Sequence, residues 1–209
     1  MSREKQFEVS RQRDRGSEIC TRILDGAETI FVKFGCLNAT VTDIARESGI
    51  STTTIYRYYE SKAVIMEALI SRDLQRMENM CQRIAEENAP ASKKLSTIIL
   101  EYHKKTLTRK CESKGTHAVV CTAMRENRLS VEEHSEQMRR LVWLIILEGI
   151  HNGEFKVTNI DEAAKMVCYA LRVFLDPSLA VPLFANDKDY AQVRTMDRFI
   201  QGSLMSGCV

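Results

Sequence analysis

The sequence predicts an all-α fold with a small N-terminal helical domain and a larger helical body. Apolar residues recur at three- and four-residue steps through most of the 209 residues, which is the spacing of one helix face. The chain has only nine Gly and three Pro, so it has few helix breakers. No stretch shows the apolar–polar alternation of a β-strand. These three observations favour long helices throughout.

The N-terminal part is predicted to contain three helices after a flexible basic arm at residues 1–16. The first helix should run from Ser17 to Phe34, and Gly35 follows at the place where a left-handed helix end is expected. Two short helices come next, at residues 41–48 and about 52–59. The arm is either a solvated tail or a contact for the phosphates or minor groove of DNA.

The body is predicted to consist of six longer helices, at roughly residues 61–87, 92–110, 116–127, 131–152, 160–175 and 187–204. The longest apolar run, Leu141–Leu147, is too short for a bilayer span, which needs about 20 residues. Residues 1–15 lack the apolar segment of a signal peptide. We therefore expect a cytoplasmic protein with no membrane partner.

Composition leaves the function open. The net charge is +2, and residues 1–62 hold ten Lys/Arg against nine Asp/Glu, which is too balanced to indicate a nucleic-acid partner by itself. The seven Cys contain no C-x-x-C pair, so neither a zinc site nor a disulfide framework is indicated. We expect reduced thiols and no cofactor. Redox sensing by Cys36 or Cys208 is a weaker alternative.

Residues 40–62 carry the informative pattern, TVTDIARESGISTTTIYRYYESK. Thr40 and Asp43 have the spacing of a capping box at a helix start. Gly49 permits a sharp turn, and Ser51 is placed to cap the next helix. Ile55 is its predicted core anchor. The sequence therefore predicts two short helices joined by a tight turn.

The second of these helices is unusual because its predicted outward side chains are hydroxyls, phenols and a guanidinium. It is poor in Ala and Leu, so its helix propensity is mediocre. Hydroxyl, phenol and guanidinium groups suit contacts with phosphates and base edges. The outward set is Thr52, Thr53, Thr54, Tyr56, Arg57 and Tyr58.

Residues 17–69 resemble the DNA-binding domain of the TetR family of bacterial regulators. The resemblance rests on the helix that ends at Phe34-Gly35, then T-V-T-D-I-A, then S-G-I-S-T-T-T-I-Y-R-Y-Y-E-S-K, then an apolar helix with Ala68 and Leu69. It implies a three-helix helix-turn-helix domain at residues 17–62, followed by a larger helical ligand-binding and dimerisation domain at residues 63–209. Thr53 departs from the pattern, because many members carry Gly there.

The resemblance also implies roles for individual residues. The residues expected to approach bases in the major groove are Thr52, Thr53 and Tyr56. The residues expected to hold phosphates are Thr40, Thr42, Thr54, Arg57, Tyr58 and Lys62. The partner would be a palindromic double-stranded DNA operator bound by a homodimer, because one short recognition helix covers few base pairs. A repressor is the more usual outcome in this family, with activation as the alternative.

The body carries no motif that names a ligand. The family implies a small-molecule effector that shifts the dimer to a form unable to bind DNA. The fourth helix, which follows the recognition helix, would transmit the change. Candidate ligand-binding residues are His103, Cys121, Met124, Trp143 and Tyr169, although residues of these types are more often packed in the core than in contact with a ligand. The last two helices form the expected dimer surface. Their aromatic side chains, Tyr169, Phe174 and Phe199, would serve equally as core residues within one chain.

Two rival functions come from other classes of protein. Glu148 and His151 form one E-x-x-H pair, whereas a di-iron bundle needs two such pairs and two further Glu, so an all-α metalloenzyme is disfavoured. A helical adaptor that binds another protein is the second rival. The outward Thr, Tyr and Arg side chains argue against it, and a steep salt dependence of binding would separate DNA from protein partners.

Overall fold

A computed structural model of the chain describes residues 3–112, 129–175 and 190–207, with side chains described for 16–106, 131–172 and 190–207. These residues form eight helices and no strand. The helices are α1 Arg3–Asn38, α2 Val41–Ser48, α3 Thr52–Tyr58, α4 Lys62–Ala85, α5 Ala91–Glu112, α6 Leu129–His151, α7 Ile160–Leu175 and α8 Ala191–Ser206. The predicted all-α class is confirmed. The helix predicted at 116–127 lies outside the described residues.

The first helix differs from its predicted bounds at both ends. It begins at Arg3, so the residues expected to form an arm are helical from that point. Helical hydrogen bonding also resumes after Gly35, where φ is 74° and ψ is 157°. This positive-φ region is open almost only to Gly, so the regular helix is interrupted there, although not in the left-handed helical conformation that the sequence predicts.

The described residues divide into two compact units, the first with residues up to Ile70 and the second with residues from Ser71 onward. Helix α4 begins in the first unit and ends in the second. The predicted boundaries at residues 16/17 and 62/63 remain predictions. No helix within the described ranges is long and apolar enough to cross a membrane.

The first unit has a core built from one face of each of its helices. The residues of this core are Ile23, Leu24, Ala27, Ile30, Phe31, Ala39, Ile44, Ile55, Tyr59, Ile65 and Leu69. Ile44 of α2 and Ile55 of α3 are both 0% exposed. Burying such a side chain contributes about 1.5–3 kcal/mol to the free energy of unfolding. A single buried Ile in each of these short helices therefore fixes which face of the helix points outward.

The second unit has a larger core of its own, formed by α4, α5, α6, α7 and α8. Buried polar contacts also join these helices. Lys94 of α5 is 6% exposed and donates to both carboxylate oxygens of Glu148 of α6, at 2.7 and 2.9 Å. Gln201 of α8 donates to the carbonyl oxygen of Ser92 at 3.0 Å. These contacts fix the register of α5 against its neighbours.

The start of α5 is capped by a carboxylate from a distant part of the chain. Glu154 accepts hydrogen bonds from the backbone N–H of Ala91 at 2.9 Å and of Ser92 at 3.0 Å. Burial opposes ionisation of Glu154, but these bonds, the Ser92 hydroxyl and Lys94 outweigh it and hold its pKa below the usual value. A negative charge is favoured there because the first N–H groups of a helix lack helical partners.

Candidate nucleic-acid interface

The start of α2 carries the predicted capping box. The Thr40 side chain accepts from the Asp43 N–H at 3.1 Å, and the Asp43 carboxylate accepts from the Thr40 N–H at 3.2 Å. The hydrogen bond from the Thr40 side chain, with smaller help from its backbone and from Arg46, holds the pKa of Asp43 below the usual value against desolvation. The first turn of α2 is therefore fixed by its own side chains.

The turn between α2 and α3 is held by Gly49 and by a cation from α1. Gly49 has φ 65° and ψ 27°, the left-handed conformation that the sequence predicts. The Arg22 guanidinium donates to the Ser48 carbonyl at 3.0 Å and more weakly to the Gly49 carbonyl at 3.4 Å. A positive charge is favourable at the C-terminal end of a helix. Arg22 was not singled out from the sequence, because its partners lie 26 and 27 residues away.

Helix α3 begins at the predicted cap and is anchored by the predicted residue. The Ser51 hydroxyl accepts from the Thr54 N–H at 3.1 Å, and Ile55 is fully buried. Tyr59 is 9% exposed and packs in the same core. Because one face of α3 is held inward in this way, its exposed side chains stand on the outer side, and these are Thr53, Tyr56, Arg57 and Tyr58.

The structure places most of the predicted DNA-binding side chains on the surface of the first unit, at the start of α2 and along α3. Tyr56 is 53% exposed and Tyr58 is 36% exposed. The others on the surface are Thr40, Thr42, Thr53 and Arg57, whereas Thr52 and Thr54 are half-buried. The Thr54 hydroxyl lies 2.8 Å from that of Ser51, so it also takes part in the cap. The exposed set offers hydroxyl, phenol and guanidinium groups on the surface of one unit.

Lys62 differs from the other predicted phosphate contacts. Its Nζ donates to the carbonyl oxygens of Cys36 at 2.7 Å, Ala39 at 2.8 Å and Leu37 at 3.3 Å. The side chain is therefore directed at the protein backbone. Sequence spacing offers no signal for this contact, because it joins residues 23 to 26 positions apart.

Helices α1 and α2 cross closely at Gly26. A Cβ at this position would lie 2.9 Å from the Cβ of Ser48 and 3.0 Å from its backbone N. Real side chains essentially never approach so closely. The crossing therefore depends on the absence of a side chain at Gly26.

The second unit contains a cavity of about 780 Å³ between α5, α6 and α7. Its lining is mixed, with aromatic and apolar groups beside four carboxylates and three cations. The lining residues are Tyr102, Val131, Glu132, His134, Ser135, Glu136, Met138, Arg139, Asp161, Glu162, Lys165, Cys168, Tyr169 and Arg172. A volume of this size suits a small organic molecule.

The cavity includes one of the five ligand-binding residues predicted from the sequence. Tyr169 lines it and lies beside Lys165, whose Nζ is 5.9 Å from the ring centre. His103 does not line it; this residue is fully buried and packs edge-on against Tyr190, with 5.8 Å between ring centres. Trp143 packs against the core of the second unit. Cys121 and Met124 lie outside the described residues.

A buried hydrogen-bonded chain at the cavity wall was missed by the sequence analysis. The Tyr102 hydroxyl lies 2.8 Å from Nε2 of His134, and Nδ1 of His134 lies 2.8 Å from Oε1 of Glu78. Tyr102 and His134 are 6% and 5% exposed. The three residues come from α5, α6 and α4, so no local pattern marks them.

The thiols and carboxylates described in the structure do not assemble into a metal site. The described ranges hold no group of three or more His, Cys, Asp or Glu that could bind a metal ion. Glu148 of the E-x-x-H pair is bound to Lys94, and His151 is exposed. Burial raises the pKa of Cys36 to about 11, that of Cys81 to about 12 and that of Cys168 to about 11. These thiols are therefore protonated and weakly reactive near neutral pH.

Two protein-family models match the chain. Residues 23–69 match the model described as "Bacterial regulatory proteins, tetR family", and residues 91–191 match "Tetracyclin repressor-like, C-terminal domain". Together the two matches cover most of the sequence.

Curated relatives and solved structures agree with these matches. An uncharacterised HTH-type transcriptional regulator of Mycobacterium tuberculosis is 32% identical over 78 residues, which are 37% of this chain and 39% of that regulator's length. The fatty acid metabolism regulator protein of Bacillus subtilis is 27% identical over 142 residues, 65% of this chain and 70% of that protein.

The similarity in fold extends over nearly the whole chain. The transcriptional regulator FadR from Bacillus subtilis, solved in complex with stearoyl-CoA, is 21% identical, with a TM-score of 0.62 over 90% of this chain and 98% of that one. FadR from Bacillus halodurans, a fatty acid degradation regulator, is also 21% identical, with a TM-score of 0.64 over 89% of this chain and 96% of its own.

Proposed function

The chain belongs to the TetR family of bacterial regulatory proteins, and on that premise we propose that it is a sequence-specific DNA-binding regulator of transcription. The proposal rests on the polar and aromatic side chains that α3 exposes on its outer side. A helix anchored inward by Ile55 holds Thr53, Tyr56 and Arg57 outward, on a unit braced by α1. Such a helix at the end of a tight turn is the element that enters the major groove of DNA.

Within this proposal, residues 17–62 bind DNA. Thr52, Thr53 and Tyr56 approach base edges, and the exposed Thr40, Thr42, Arg57 and Tyr58, with the half-buried Thr54, contact phosphates. Hydroxyl and guanidinium groups serve both purposes, and a Thr methyl group also fits against a thymine methyl. The protein acts in the cytoplasm and has no catalytic role.

Residues 63–209 form the effector-binding and dimerisation part. Helices α7 and α8 expose large apolar side chains, with Met166 40% exposed, Phe199 69% and Met205 44%. Exposed apolar groups on two adjacent helices suit burial against a second copy of the chain. A dimer would present two reading helices to a palindromic operator, whose half-sites lie about 34–36 Å apart.

The cavity in the second unit is the proposed effector site. The effector favours a dimer that binds DNA poorly, so that its arrival releases a repressor from the operator. By linkage, DNA must weaken effector binding by the same factor. A long-chain acyl thioester is the first effector class to test, because a structural relative was solved with stearoyl-CoA and because the lining includes apolar groups.

The charges of the cavity place a condition on such an effector. Its lining carries four carboxylates and three cations, and one cation, Arg139, is already bound by Glu136 at 2.6 and 3.0 Å. With that pair set aside, three carboxylates face two cations, so a phosphate group gains little net attraction from this wall. The acyl chain would occupy the cavity and the phosphates would remain outside it.

Selection of bound duplexes from a random DNA pool, with purified wild-type protein at physiological salt, tests the proposed function. A recovered palindrome would support a dimeric sequence reader. A folded, dimeric sample that enriches no sequence would contradict it and would favour the helical adaptor. Stearoyl-CoA is then added to the protein–DNA complex, with free coenzyme A as the control. Equal DNA affinity with and without bound stearoyl-CoA would exclude it as the effector.

A further inference from the structure

We propose that Lys62 positions the DNA-reading segment by closing the C-terminal end of α1, instead of binding a DNA phosphate. The inference rests on the proposed function for its DNA-binding part. The Lys62 ammonium has three N–H donors, and the structure gives it three acceptors, the carbonyls of Cys36, Leu37 and Ala39. A phosphate would have to displace at least one of them.

The acceptors lie where a helix end needs a cation. Residues 36–38 form the last stretch of α1, after the interruption at Gly35. The last carbonyl groups of a helix have no helical N–H partner, and they carry the negative end of the helix dipole. The Lys62 side chain is half-buried, and its bonds to Cys36 and Ala39 are partly shielded from water. A charged donor in this place supplies N–H groups to these carbonyls.

The same contact joins the two ends of residues 40–61, the DNA-reading segment. Ala39 directly precedes Thr40, the cap of α2, and Lys62 is the first residue of α4. Residues 40–61, between them, contain α2, the turn and α3. A bond from Lys62 to the Ala39 carbonyl therefore closes this segment into a loop at its base, which removes conformations in which α3 is displaced.

Arg57 offers the matched control. It is an exposed cation in the last turn of α3, in the set proposed to meet the backbone of DNA. Loss of one phosphate contact reduces the slope of log K against log salt by about one, hence by about two in a symmetric dimer. Loss of a positioning contact weakens binding by the same factor at every salt concentration and leaves the slope unchanged.

The experiment compares full-length wild type, Lys62→Met and Arg57→Gln. The first measurement is amide hydrogen exchange of residues 36–61 in the free protein. The second is DNA affinity over a series of salt concentrations, with the duplex selected for wild type. Lys62→Met is expected to exchange faster in this segment, to melt about 3–10 °C lower and to keep the wild-type salt slope. Arg57→Gln is expected to keep wild-type exchange and to lose about two units of slope.

A reduced salt slope in Lys62→Met would overturn the proposal, whatever its exchange shows, and so would wild-type exchange in residues 36–61. Failure of Lys62→Met to fold would support a positioning role for Lys62, because a solvated side chain that only contacts DNA phosphate does not stabilise the free protein. The slope is then measured with Lys62→Gln, whose amide retains two N–H donors. If wild type binds no DNA, the proposed function fails. Amide hydrogen exchange of residues 36–61 alone then decides whether Lys62 positions this segment.

Discussion

The close crossing at Gly26 allows the packing of α1 against α2 to be tested with a single methyl group. In Gly26→Ala the added Cβ would lie 2.9 Å from the Cβ of Ser48 and 3.0 Å from its backbone N. Because one of the atoms met belongs to the backbone, rotation of a side chain cannot relieve the contact, and the helices must separate.

Two opposing effects decide how much Gly26→Ala changes the free energy of unfolding. Ala is favoured over Gly inside a helix by about 1 kcal/mol. Overpacking of a tight contact costs about 1–3 kcal/mol. If overpacking costs about 2 kcal/mol, the free energy of unfolding of Gly26→Ala should be about 1 kcal/mol below that of wild type. In a chain of this size, such a loss lowers the melting temperature by about 2–4 °C.

Gly16→Ala is the matched control, because Gly16 lies in the same helix and a methyl group added there would meet nothing within 4 Å. It should leave stability unchanged or raise it by up to about 1 kcal/mol. Thermal unfolding followed by circular dichroism measures both variants. If Gly26→Ala melts at or above wild type, the close crossing does not hold α2 and the reasoning is wrong.

Three further outcomes are expected. Thr40→Ala removes the capping box and should lower the stability of the first unit by about 1 kcal/mol, measured by chemical denaturation. The pKa of Glu154 is lowered on folding, so its contribution is present above its unfolded pKa and is lost as pH falls through the folded value. The difference in stability between wild type and Glu154→Gln should therefore be largest near neutral pH and vanish in acid; a constant difference from about pH 7 to about pH 3 would contradict the cap. Alkylation followed by mass spectrometry near neutral pH should modify Cys36, Cys81 and Cys168 slowly, and faster after unfolding, because burial raises their pKa values.

The local geometry of the reading segment was predictable from the sequence. The box of Thr40 and Asp43, the left-handed Gly49 and the cap at Ser51 all depend on residues within four positions of one another. Such contacts follow from spacing, because a side chain can reach only a few neighbouring backbone groups. Ile55 was predictable for a similar reason, since it is the apolar residue central to a short polar helix.

Contacts between distant residues were not predictable in this way. Lys62 reaches carbonyls 23 to 26 positions earlier, and Glu154 caps a helix that begins 63 positions before it. Spacing along one helix does not show which residues of another helix it meets. The phosphate role of Lys62 was inferred by resemblance, and resemblance did not indicate the backbone carbonyls that the structure places around its ammonium group.

The cavity shows the same limit. Tyr169 and His103 were both predicted as ligand contacts, but only Tyr169 lines the cavity, whereas His103 packs on Tyr190. Tyr102 and His134 line the wall and were missed. Which face of each helix borders the cavity depends on the packing of three helices, and a single helical periodicity does not contain that information.

The base preferences of a Thr53→Ala variant show whether α3 reads bases as part of a dimer. Binding sites are selected in parallel for wild type and for the variant, from the same random pool and at the same salt concentration. We expect Thr53→Ala to keep the palindrome and to relax base preference at one pair of symmetry-related positions, by about 1–3 kcal/mol per base pair. Preferences identical to those of wild type at every position would contradict base reading at Thr53, and a change on one side only would contradict the symmetric dimer.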